Sequence, residues 1–117
     1  MGASHGIGYV LGAAFDIPHG HTSCIMLPAV MRWNECINKN RQQLISSAMK
    51  KPDTEAGNVL EALISELDMP TRLSDVGIKK SDFNDIAIRA METPWVPHNP
   101  KHIEGPKDIL EILALAA

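Results

Sequence analysis

The chain has 117 residues, 44% of them hydrophobic and 4% aromatic, with a formal net charge of −3. This length predicts one domain with a modest core rather than a two-domain enzyme, and a small negative charge without a basic run argues against nucleic acid and anionic membranes as partners. No apolar run approaches the roughly 18 residues of a membrane span, and Cys24 and Cys36, with no CxxC motif and no secretory signal, predict reduced thiols in a cytoplasmic protein.

The first stretch, Gly2 to Gly20, combines glycines, histidines and a turn proline. His5 sits in a segment that reads as a helix through Phe15. His19 follows the turn Asp16-Ile17-Pro18, so the chain can double back and bring the two imidazoles together. Two neutral imidazoles converging on one point are half of a tetrahedral or octahedral site for a divalent transition metal. His21 is a lesser candidate ligand, because a first-turn helix position faces solvent. Three helix-interior glycines, Gly6, Gly8 and Gly12, each cost about 1 kcal/mol against alanine, which predicts something approaching this helix closely.

Further along, His21-Thr22-Ser23 offers capping hydroxyls to a buried helix on Ile25, Leu27, Val30, Met31 and Ile37, kinked or begun by Pro28. Asn38 to Lys51 continues as a helix, burying Leu44, Ile45, Ala48 and Met49 and ending at Lys50-Lys51-Pro52. Asp53 is the expected N-cap of an amphipathic helix on Ala56, Val59, Leu60, Leu63, Ile64 and Leu67. Met69 to Ile78 is a connector, and Ser81 is the expected cap of a helix on Phe83, Ile86, Ala87, Ala90 and Met91. Four prolines between Thr93 and Pro106 preclude regular structure there, with His98 and His102 facing solvent. Pro106 then starts a terminal helix on Ile109, Leu110, Ile112, Leu113 and Leu115. With no strand alternation of useful length, the predicted fold is all-α, a bundle of about six helices.

Several of these runs together resemble the iron-containing (group III) alcohol dehydrogenases, a family that includes lactaldehyde and maleylacetate reductases. The matching residues are His5, Leu11-Gly12-Ala13, Pro18-His19-Gly20 and Leu27-Pro28-Ala29-Val30-Met31-Arg32-Trp33-Asn34, with the linker Pro70 to Ile78 and Asn99-Pro100-Lys101 further on. The resemblance covers nearly the whole chain, as the C-terminal half to two-thirds of the family's helical domain. It implies that His5 and His19 are two of four metal ligands; the other two, an Asp and a His from an earlier helix, have no match here. It further implies a divalent metal, iron or zinc, that polarises a carbonyl or alkoxide oxygen while NAD(P)H supplies hydride. No NAD(P) site is expected within these residues, and metal binding by the pair alone should be weak. Tyr9 departs from the pattern, standing where members commonly place a His beside the nicotinamide.

A rival resemblance, of Gly2 to Gly8 to the phosphate turn of short-chain dehydrogenases, requires a preceding strand, and only Met1 precedes it. The expected function is therefore that of a truncated family relative, inactive alone. The alternative is a small helical binding or oligomerisation module, with a three-histidine metalloenzyme on His5, His19 and His21 ranked last. The expected partner is a second copy or a missing N-terminal chain, covering an apolar face of Ile7, Val10, Leu11 and Phe15 with Gly8 and Gly12 at a helix–helix approach.

Overall fold

Apolar positions recurring every three or four residues fold the described residues into five α-helices. A computed structural model describes residues 2–117. The helices are α1 (Ala3–Phe15), α2 (His19–Ala48), α3 (Ala56–Glu66), α4 (Phe83–Met91) and α5 (Pro106–Leu115), with short 3-10 turns at Leu73–Val76, Lys80–Asp82 and Val96–His98. The fold is all-α, and no strand occurs among the described residues.

The helical runs on either side of Asn38 form one 30-residue helix, kinked there by a non-helical Asn38 at φ −124° and ψ 32°. Pro28 lies within it without ending it. The kink is stapled from inside: Gln42 Nε2 donates to the Met31 carbonyl at 2.6 Å and to Asn38 Oδ1 at 2.8 Å. That bond explains a correction to the expected face. Beyond the kink the buried positions are Gln42 and Ser46, whose hydroxyl donates to the Thr54 carbonyl at 2.7 Å, while Leu44 is 71% exposed and Ile45 and Met49 are also exposed. In α3, Ala56, Val59 and Ile64 are buried, but Leu63 and Leu67 are exposed.

Three expected helix starts shift. α2 begins at His19, so Thr22 is no cap; its hydroxyl donates back to the His19 carbonyl at 2.9 Å. Asp53 lies in a turn closed by Thr54 N–H to the Lys51 carbonyl at 3.1 Å, and α3 starts three residues after it, preceded by Glu55. Before α4 the capping acceptor is Asp82, which takes the Lys79 N–H at 2.9 Å, and Ser81 stays exposed.

α1 packs against α2 and α4, and α5 packs against α4 and α2. Ile7, Leu11, Ile25, Met26, Ile86, Ile109 and Leu113 form the centre of their shared core. α3 lies apart from that core, on the far part of α2, where Arg32 joins Asn58 and Glu61. The apolar face expected to lie bare on α1 is therefore covered from within: Ile7, Val10 and Leu11 are buried and Phe15 is half-buried against the core. Gly8 faces Thr22 of the same chain, leaving no room for a second helix at that point.

The close approach predicted from the helix glycines is met at Gly6. A Cβ there would fall 2.7 Å from both Thr93 Oγ1 and Val96 Cγ2. The segment so admitted is held by Asn99. Its Nδ2 donates to Asn34 Oδ1 at 2.7 Å and to the Lys101 carbonyl at 2.8 Å, and its Oδ1 accepts the Ala3 N–H at 3.2 Å. One side chain thus caps α1 and ties the proline-rich segment to α2.

Gly6→Ala should lower stability by about 1–3 kcal/mol despite its better helix propensity, whereas Gly20→Ala, with nothing within 4 Å of its Cβ, should be neutral or stabilising in urea denaturation. Asn99→Ala should cost about 2–4 kcal/mol, because it leaves buried donors and acceptors unpaired on three segments; equal urea midpoints for this variant and the exposed control Asn40→Ala would contradict the assignment.

Candidate functional site

α1 carries His5 and, one turn later on the same side, Tyr9. The reversal into α2 is made by Asp16 in the left-handed conformation (φ 55°), its N–H bonded to the Gly12 carbonyl at 3.1 Å, followed by Pro18. This turn sets His19, the first residue of α2, beside His5. Their ring centroids are 5.7 Å apart with the planes at 71°. Two imidazoles sharing one tetrahedral ion at a metal–nitrogen distance of about 2.1 Å have centroids roughly 5 Å apart, a separation close to that of this pair. Both donors are of a type that suits iron and zinc.

Among the described residues no group of three His, Cys, Asp or Glu side chains is placed to hold a metal ion. His21, half-buried in the first turn of α2, is thus not brought into a three-ligand group with His5 and His19. Cys24 and Cys36 are free thiols, the first half-buried and the second exposed. His98 and His102 are solvent-exposed, as expected from the sequence.

What the sequence reading missed is Trp95. Its ring lies 4.8 Å from that of His5 in an edge contact and 5.4 Å from that of Tyr9. The irregular proline-rich segment gave no periodicity from which to place it. Trp95 and Tyr9 wall a cleft of about 440 Å³ over Val10, Ala13 and Ala14, with Arg89 and Glu92 at its edge. Arg89 is already paired, its Nε 3.0 Å from Asp85 Oδ2. The glycine-rich start of the chain is no phosphate turn, because Gly6 and Gly8 are buried inside a helix that begins at Ala3.

Comparison with known proteins places this arrangement in a family. The chain is 36% identical to Dehydrogenase FUM7 of Gibberella moniliformis over 136 residues, covering 100% of this chain and 32% of that protein. It is 31% identical to Maleylacetate reductase 1 of Rhodococcus opacus, over 95% of this chain and 30% of that one. The crystal structure of maleylacetate reductase from Agrobacterium tumefaciens superposes with a TM-score of 0.83 at 25% identity, covering 99% of this chain and 31% of that one. The chain thus spans about a third of the length of these relatives. The C-terminal model of the Fe-containing alcohol dehydrogenase family matches residues 1–117, and the chain belongs to the iron-containing alcohol dehydrogenase family as a counterpart of its C-terminal region.

Proposed function

We propose that this domain supplies two imidazole ligands and one wall of the substrate site to a metal-dependent, nicotinamide-linked alcohol or aldehyde oxidoreductase. The observation that carries the reading is the 5.7 Å approach of His5 and His19, two histidines far from each other's helix turn that only the Asp16–Pro18 reversal brings together. Iron or zinc bound there would act as a Lewis acid on the substrate oxygen while the nicotinamide supplies or takes the hydride. The chain's own part is positional. Trp95 packs against the His5 ring and restricts its rotation, and the fixed start of α2 orients His19. Tyr9, 58% exposed beside this pair, presents a hydroxyl that both donates and accepts hydrogen bonds to a substrate oxygen.

Two imidazoles hold a divalent ion weakly, and among the described residues no third His, Cys, Asp or Glu is placed to complete a metal cage. The isolated chain should therefore bind Co²⁺ or Zn²⁺ weakly, lose at least about tenfold in affinity in His5→Ala and in His19→Ala, keep it in His21→Ala, and show no turnover of short alcohols with NAD(P). Calorimetric titration and steady-state assays check both halves. Metal affinity unchanged in His5→Ala would refute the ligand assignment; metal-dependent turnover by the chain alone would refute the need for further ligands.

A second reading, that the domain also associates with another chain, has one observation in its favour. Leu27, Met31, Ile45, Met49, Leu60 and Leu63 line an apolar groove between α2 and α3, and apolar surface of this kind marks contact faces. Self-association at tens of micromolar, reduced in Leu63→Glu, is the expected result in sedimentation; a monomer at that concentration would exclude a second copy as the occupant.

A further inference from the structure

We infer that the cleft walled by Tyr9 and Trp95 binds the carbon skeleton of a neutral, apolar alcohol or aldehyde, aromatic ones best, and rejects carboxylates. The inference rests on the metal-site reading for where the reacting oxygen lies, but the cleft's own selectivity is independent of it. Trp95 touches both His5 and Tyr9, so a ligand whose oxygen points at the histidine pair lays its carbon chain along these two rings. The base beneath them is Val10, Ala13 and Ala14, whose small side chains leave a cleft of about 440 Å³, within the usual range for small-molecule sites. Aromatic walls favour a flat ring, which gains edge or offset stacking contacts beyond its buried area.

Charge decides against acids. Among the described residues Arg89 is the single cation lining the cleft; its Nε pairs with Asp85, and Glu92 stands beside it. The three together carry a net charge of −1, so a substrate carboxylate meets net repulsion rather than a net positive site. A polyol fares less well for a different reason, since any of its hydroxyls laid against the apolar base of Val10, Ala13 and Ala14 lacks a hydrogen-bond partner there and gains none of the apolar contact that a hydrocarbon ring makes.

The test uses the Trp33→Phe chain, in which Trp95 gives the only indole N–H signal, since the protein has two tryptophans. Titration with benzyl alcohol should move that signal to saturation. Propane-1,2-diol and benzoate should bind at least about tenfold more weakly. Ala13→Phe, at an exposed position lining the cleft, should remove the benzyl alcohol response while Co²⁺ still broadens the Trp95 signal. Benzoate or the diol binding as tightly as benzyl alcohol, no saturable shift, or a shift that survives Ala13→Phe would overturn the inference. Absence of Co²⁺ broadening with the benzyl alcohol shift intact would refute the metal reading and still support the cleft.

Discussion

The buried amide of Asn99 joins three segments through hydrogen bonds from one side chain: the first turn of α1, the middle of α2 and the proline-rich segment before α5. Both of its polar atoms are engaged, with Ala3, Asn34 and Lys101, which is what allows a polar side chain to stay 6% exposed in the core without penalty. A segment with four prolines has few backbone donors and no ladder of its own, so its path is set by such side-chain anchors rather than by secondary structure. Val96 and Trp95 are placed as a consequence. Val96 enters the space that Gly6 leaves open, and Trp95 reaches His5 and Tyr9. The geometry around the histidine pair thus depends on a residue well outside it.

The other end of the molecule is organised differently. α3 joins α2 through polar contacts, Arg32 bridging Asn58 and Glu61, with Arg72 reaching Glu61 at 3.5 Å. Arg32 also packs over Gly57, where a Cβ would fall 2.8 Å from its Cγ. Apart from the buried Ala56, Val59 and Ile64, the apolar side chains of this end line a groove rather than a closed core. The domain therefore combines a well-filled half carrying the histidines with a half whose apolar surface is suited to contact.

Much of this was legible in the residues, and the failures have physical causes. α1, α4 and α5 follow their apolar spacing, and Pro106 marks the start of α5 because proline fits the first helical position. The turn that pairs His5 with His19 could be read from Asp16-Ile17-Pro18. The buried face after Asn38 could not, because periodicity ranks Leu44 and Ile45 above Gln42, and only the kink, with a carbonyl needing a donor, makes Gln42 the inward residue. The supposed bare face of α1 failed for a related reason: burial by α4 and the Val96 turn is long-range and leaves no local mark. Trp95 was invisible for want of any regular element to carry it.

This chain by itself brings His5 and His19 together, with no contribution from a further polypeptide. The direct measurement is the nuclear Overhauser spectrum of the metal-free chain. Cross-peaks should join the ring protons of His5 to those of His19, as well as to the indole of Trp95, as required by centroid separations of 5.7 and 4.8 Å. Histidine rings with no mutual cross-peaks in an otherwise folded chain would contradict the account.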